Sequence, residues 1–351
     1  MLDRPAATRL QRHVHPFDRA EHARKRCTRA LQLFLAAPLL TGCEGPQSTL
    51  DPAGIGAERI AELFWWLTAC GAVIWTIVVA LAIYAIRVRR PHDRRRAAIL
   101  IIGGGAVVPT IVLAAILTAG LGMMPRLLEP APDGSLEIHV TGEQWWWRVR
   151  YVTPEGEQVE LANEVRLPVG EPVQFYLDSP DVIHSFWIPS IGGKMDMVPG
   201  RTTRLTLEAS RTGTFRGVCA EYCGDSHALM AFYAVVVEPN AFDAWLQQQA
   251  EPAVGPADPT AARGEALFLE TGCGACHTVR GIAAAGVVGP DLTHVGSRVS
   301  LGAGIMPNDA AAFARWITET ETVKPGVHMP AFGMLPDEDV RALAAHLDGL
   351  Q

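Results

Sequence analysis

Two apolar runs, residues 64–86 and 97–121, constrain this chain more than any other feature. Each is long enough to cross a bilayer, for which about 20 residues are needed. Between them lies Arg87-Val-Arg-Arg-Pro-His-Asp-Arg-Arg-Arg96. So short and basic a loop belongs on the cytoplasmic side of a membrane. Both chain ends then face outward, and residues 60–123 are expected to form a two-helix transmembrane hairpin. Two buried helices of a soluble core are the alternative, and the run length and the basic loop argue against it. Gly103-Gly-Gly105 and Pro109 fall inside the second run. Such residues are tolerated where neighbouring helices pack closely, so a partner subunit in the membrane is expected.

Upstream, Arg24-Lys-Arg26 and Arg29 precede a short apolar run, residues 31–40, that ends Leu40-Thr41-Gly42-Cys43. A basic region, a short apolar stretch and a small-residue cleavage site make a secretory signal, so residues 1–42 are expected to be removed. The ending resembles a bacterial lipobox, with Cys43 as the lipidated first residue of the mature chain. An unprocessed arm, or a start codon set too far upstream, is the other reading. The expected location is the bacterial inner membrane, multi-pass, with the remaining domains on the periplasmic face. The overall hydrophobic fraction of 49% is ordinary for a soluble protein, so the membrane signal is local. A net charge of −7 leaves no nucleic-acid footprint.

Residues 135–238 change character. Short alternating stretches such as Leu136-Glu-Ile-His-Val-Thr141, Gln174-Phe-Tyr-Leu-Asp178, Arg204-Leu-Thr-Leu-Glu208 and Phe232-Tyr-Ala-Val-Val-Val237 are punctuated by Pro and Gly turns. They predict an antiparallel sandwich or barrel, an all-β domain over 132–240. A Pro- and Ala-rich linker follows over 250–260, and an all-α domain is expected over 261–351.

The β domain contains Cys219-Ala-Glu-Tyr-Cys223-Gly-Asp-Ser-His227-Ala-Leu-Met230. Thiolate and thioether ligands with imidazole select copper over hard cations. Two cysteines in one loop can place both sulfurs between two metal ions, and His184 supplies a second imidazole from upstream. The set reads as a binuclear copper centre of the CuA kind. A periplasmic cysteine pair is also a common disulfide, and Cys with His a common zinc site. A structural zinc site has no use for Met230, whereas a weak Met ligand is a copper habit.

The last domain carries Cys273-Gly-Ala-Cys276-His277, the C-x-x-C-H pattern of covalent c-type haem attachment, with His277 as proximal ligand. A downstream Met is the expected distal ligand, because it raises the potential. Met329 is the first choice, ahead of His328, Met306 and His294. Residues 335–347 read as an amphipathic closing helix on which His346 is an exposed polar position. Of the remaining cysteines, Cys70 is expected to pack in a buried helix face and Cys27 to be lost with the signal. No disulfide framework is left over.

The 219–230 segment resembles the CuA loop of cytochrome c oxidase subunit II. The match extends to Ser179-Pro-Asp-Val-Ile-His184-Ser-Phe-Trp-Ile-Pro189, Gly193-Lys-Met-Asp196-Met-Val-Pro-Gly-Arg201 and Gln144-Trp145-Trp146-Trp147, over roughly residues 60–240. The resemblance implies a cupredoxin fold in which Cys219 and Cys223 bridge two coppers and His184 and His227 cap one each. It makes Met230 and the Glu221 carbonyl the weak outer ligands, and the Glu221 carboxylate a ligand of magnesium shared with subunit I. It makes Trp145 the surface tryptophan that receives electrons, and Asp181 and Asp196 second-shell and proton-exit positions. Trp147 is read as core. Residues 324–332 resemble the axial-Met loop of class I cytochromes c, and Gly289-Pro290-Asp-Leu the turn beside the proximal His.

The implied protein is an electron-input subunit of a haem–copper oxidase with a fused cytochrome c. Its implied partners are subunits I and III, membrane lipid and a cytochrome c or other periplasmic donor. The copper and haem relay would serve oxygen reduction and proton pumping in subunit I. One departure stands out, since residues 94–122 hold no Asp or Glu for a proton-entry role, leaving Asp93 nearby. A nitric oxide reductase input subunit and a membrane-tethered copper-handling protein are the alternative functions.

Overall fold

A computed structural model describes residues 44–88, 93–153, 156 and 158–351. The expected signal, with Cys27, and the lipobox Cys43 lie outside the described residues, as do residues 89–92 of the basic loop. Helix α1 spans Ile55–Arg87, 33 residues. At 1.5 Å per residue it is about 50 Å long, well beyond a hydrocarbon core of about 30 Å. The surplus is used at the N-terminal end, where Ala57 and Ala61 are its buried residues. There Ala53 N–H donates to Ser190 O at 2.6 Å, Ala57 N–H to Ile191 O at 3.2 Å, and Gly54 bridges Ala209. Along its apolar window α1 is exposed, Cys70 included. Cys70 is therefore not buried packing within this chain.

The second span starts as α2, Arg94–Ala98, widens to a π-helix over Ile99–Val107 and continues as α3, Val108–Leu127. The wide turns lie just ahead of Pro109, whose ring would press on the carbonyl four residues back in a regular α-helix. Asp93 caps α2, accepting from Arg95 N–H at 3.0 Å and pairing with Arg96 at 3.2 Å.

Ten strands follow as two five-stranded sheets. They are β1 (Leu136–Glu143), β2 (Trp146–Val152), β3 (Gln158–Ala162), β4 (Glu164–Pro168), β5 (Pro172–Asp178), β6 (His184–Trp187), β7 (Met195–Met197), β8 (Thr203–Glu208), β9 (Gly213–Cys219) and β10 (Ala231–Val237). One sheet has the order β3-β2-β1-β5-β8 and the other β4-β10-β9-β6-β7. The expected antiparallel pattern fails at two places, for β1 with β5 and β4 with β10 run parallel. The cause is the chain's change of sheet between β3 and β4 and again between β4 and β5. The first corner is Asn163, with φ 61°, whose side chain accepts from Trp147 N–H at 2.9 Å. Asn tolerates that left-handed backbone and bonds locally.

Alternation along β2 turns Trp147, Val149 and Tyr151 inward. Trp147 meets Phe232 and Phe186 edge to face at 5.3 and 5.7 Å, and those two rings stack at 4.7 Å. This aromatic block lies directly under the loop that joins β9 to β10.

Helix α4 (Pro239–Ala250) leads through the linker to α5 (Pro259–Glu270), α6 (Ala310–Val323) and α7 (Asp337–Asp348), with a short β11–β12 pair (Thr278–Val279, Ala284–Ala285) between α5 and α6. Asp258 and Asp309 cap α5 and α6, accepting from Thr260 and Ala312 N–H groups at 2.7 Å each. Helices α5 and α7 cross at Gly264, where an added Cβ would lie 2.0 Å from Ala342 O. The crossing also buries His346, which is 3% exposed and packs against Phe268 at 5.7 Å. His346 is thus not the exposed position the amphipathic pattern predicts, and burial holds its imidazole below the ordinary value. The G264A variant is expected to cost about 1–3 kcal/mol through overpacking, measured as an earlier calorimetric transition of the α domain.

Candidate metal centre and haem cavity

The loop from β9 to β10 folds so that its soft atoms converge. Cys219 ends β9, and its neighbour β6 begins at His184. Cys219 Sγ lies 3.8 Å from Cys223 Sγ and 3.8 Å from His184 Nδ1. Cys223 Sγ lies 3.5 Å from His227 Nδ1 and 3.8 Å from Met230 Sδ. The Glu221 carbonyl oxygen stands 3.2 Å from Cys219 Sγ, while its carboxylate is exposed and accepts from Tyr222 N–H. All six residues singled out from the sequence thus share one cluster. No disulfide joins the sulfurs. With a metal–thiolate bond of about 2.3 Å, sulfurs at that spacing subtend about 110° at a shared metal, close to tetrahedral. The donor set of two sulfurs, two imidazoles, a thioether and a carbonyl fits copper.

His184 is fully buried, and its Nε2 meets Asp181 Oδ1 at 2.9 Å, which leaves Nδ1 facing the sulfurs. Burial disfavours a charged His184, but hydrogen bonds and charges from Cys219 and Asp181 outweigh it and hold the imidazole above its ordinary value. Burial likewise raises the Asp181 carboxyl, yet hydrogen bonds from Val182, His184 and Gln144 keep it below its usual value. The thiols share a proton unequally. The hydrogen bond between them holds the Cys219 thiol well below its ordinary value and pushes Cys223 up.

A cavity of about 420 Å³ opens in the α domain, with Cys273, Cys276, His277 and Met329 all on its wall. His277 Nδ1 lies 2.8 Å from Pro290 O, which fixes the ring and frees Nε2. Gly289 has to be glycine, since a Cβ there would sit 2.5 Å from the His277 ring. Burial lowers the His277 pKa and favours the neutral imidazole that can ligate. Of the other candidates, His328 shares the wall, whereas Met306 packs in the core and His294 turns its Nε2 to Glu251 O.

Arg298 also lines the cavity, half-buried, donating to Asp291 O, with its buried Nε lacking a partner among the described residues. An apolar pocket with a guanidinium on its wall suits a flat apolar ring with carboxylate substituents, as haem has. The residues present fit that group.

Trp145 belongs to both sites. It stands in the turn before β2, lines the haem cavity, and donates its indole N–H to Cys223 O at 2.9 Å. It is only 6% exposed, so it is not the open surface tryptophan of the sequence reading. The residues 324–329 loop covers it. A Cβ on Gly326 would lie 2.9 Å from its ring, and Ser226 O–H donates to Pro325 O at 2.6 Å. Ala231 N–H also donates to Ala303 O at 3.0 Å, and Arg216 to Gly304 O at 2.8 Å. Asp196 accepts from Ser185 at 2.8 Å on β6 and pairs with Lys194, outside the cluster. Trp147 is core, as the sequence predicts. Sequence reasoning missed Gln144, Arg298 and Lys324.

The family described as Cytochrome C oxidase subunit II, periplasmic domain, matches residues 154–238, and the family described as Cytochrome c matches residues 261–351. The cytochrome c oxidase subunit 2 of Alkalihalophilus pseudofirmus is 35% identical over 342 residues, covering 93% of this chain and 98% of that protein. That of Bacillus subtilis is 29% identical over 348 residues, covering 92% and 97%. A crystal structure of the periplasmic domain of subunit II of cytochrome oxidase from Bradyrhizobium japonicum aligns at 33% identity and a TM-score of 0.32, over 34% of this chain and 96% of that one. The chain belongs to the cytochrome c oxidase subunit 2 family, in the form that also carries a cytochrome c domain. It is a subunit of an oxidoreductase, with an electron-input role, a membrane anchor and a periplasmic domain. Its two folded domains beyond the hairpin are of the kinds that indicate copper and haem.

Proposed function

We propose that the chain passes electrons from a periplasmic cytochrome to the haem of oxidase subunit I. A covalent haem c and a binuclear CuA, when bound, supply the one-electron carriers for that relay, which serves oxygen reduction coupled to proton pumping. Cys273 and Cys276 attach the haem, and His277 and Met329 are its axial ligands. Cys219, Cys223, His184, His227, Met230 and the Glu221 carbonyl would hold the coppers, with the two thiolates shared between them. The exposed Glu221 carboxylate is free to hold magnesium against subunit I. Subunit III is a further partner. The domains are a hairpin in the bacterial inner membrane over 60–123, a copper domain over 132–240 and, after the 250–260 linker, a haem domain over 261–351, the last two in the periplasm.

One observation carries this reading. Trp145 lines the haem cavity and hydrogen-bonds the carbonyl of Cys223, so one indole spans the seam. A π-system there shortens the gap through which an electron tunnels. The fixed seam supports Trp145 as an internal relay, receiving electrons from the chain's own haem domain.

The test is rapid reduction of the purified oxidase by a one-electron donor, followed at haem and copper absorbances. W145F is expected to slow haem-to-copper transfer at least about tenfold, with both cofactor contents unchanged. An unaltered transfer rate would remove Trp145 from the route. Two coppers sharing one unpaired electron, with one covalent haem, are the expected composition of the oxidised protein.

A further inference from the structure

The seam between the two sites contains a buried cation that neither site requires. Lys324 is 1% exposed and heads the loop that ends at Met329. Its Nζ donates to Gly302 O at 2.9 Å, and its side chain lines the haem cavity. The next residue, Pro325, is held by Ser226 of the copper loop, 99 residues away in sequence. Among the described residues no carboxylate pairs with Lys324. The other cation on this wall, Arg298, differs, because Asp291 and Glu164 counter its charge.

Burial is the main influence on Lys324 and brings its ammonium down to about 7. A buried ammonium interacts strongly with its surroundings, since neither water nor salt screens it well. An added electron on either side is therefore stabilised by it.

We infer that Lys324 is a shared tuning residue, whose single buried charge lies on the haem-cavity wall beside the loop that Ser226 of the copper loop holds, and raises the reduction potential of both centres. The inference rests on the reading of these sites as haem c and CuA. A cation placed there shifts the two potentials in the same direction, so the driving force between the two centres changes little.

The experiment uses the purified full oxidase at pH 6, where the ammonium is charged, with wild type, K324M, K324Q and K324R. Copper and haem are quantified first. A wild type lacking two coppers or a covalent haem would overturn the underlying reading, independently of Lys324. Haem and copper are then titrated against redox mediators by their separate absorbances. In K324M the reduced-to-oxidised ratio at each wild-type midpoint is expected to fall on the order of tenfold for both centres. K324R, which keeps the charge, is expected to restore both. K324Q gives the same comparison where K324M does not assemble. A shift at one centre alone, or at neither, with full copper and haem, would overturn the shared role. So would a K324R shift as large as that of K324M, which marks a packing effect.

Discussion

Replacing Cys223 by Ser is expected to reduce copper from two per chain to at most one and to stop oxygen consumption by the assembled oxidase. Cys219, His227 and Met230 all lie within 3.8 Å of the Cys223 sulfur. Serine keeps the shape but substitutes a hard, protonated oxygen for a soft thiolate, and soft ligands are what select copper here. Residues that only orient a ligand typically cost 10–100-fold in metal affinity or activity when removed, so loss of a bridging ligand is expected to cost more than about 100-fold. The measurements are copper content and electron paramagnetic resonance, in which a spin shared by two coppers gives way to one localised spin. The haem domain provides the internal control, because its covalent haem should persist in full. A C223S protein that retains two coppers with a shared spin would end the bridging assignment.

Replacing Met329 by Ala is expected to lower the haem potential by on the order of 100 mV, since an axial thioether raises it and axial ligands span a range of about 0.8 V. The assignment depends on position. Met329 and His277 lie on the wall of one cavity, whereas Met306 is packed among core side chains. M306A should therefore leave the potential near wild type while costing about 2–5 kcal/mol of stability, as buried truncations do. Redox titration of the two variants side by side decides the matter. If M306A shifts the potential and M329A does not, the ligand has been misassigned. On the His277 side, the hydrogen bond to Pro290 O and the close approach of Gly289 fix the ring.

The chemistry of this protein is legible in its sequence where ligands are neighbours in the chain. Cys219, Cys223, His227 and Met230 fall within one loop, and Cys273, Cys276 and His277 within one turn, so spacing alone brings them together. His184 comes from a distant strand, and the need for a second imidazole, rather than spacing, singles it out. The strands at residues 136–141, 174–178, 204–208 and 232–237 were visible from alternation, but two parallel pairings were not. Parallel pairing arises from the corner at Asn163, and a single positive φ leaves little trace in a pattern of apolar residues. His346 was misjudged because its burial comes from a close helix crossing permitted by Gly264. Lys324 and the covering of Trp145 were invisible for a similar reason. Both depend on where two separately folded domains meet, and neither domain's periodicity records that.

The N-terminal end of α1 has a mechanical consequence. Ala53, Gly54 and Ala57 are stitched to Ser190, Ala209 and Ile191, and Pro46 accepts from Arg216 N–H at 2.8 Å. The membrane rod and the barrel therefore share a joint of backbone hydrogen bonds, with no swivel between them. Tunnelling falls off steeply with distance, so a wobbling mount would smear one rate into many. A welded mast holds its lamp at one height above the deck, and the hand-off to a neighbouring subunit should follow a single exponential.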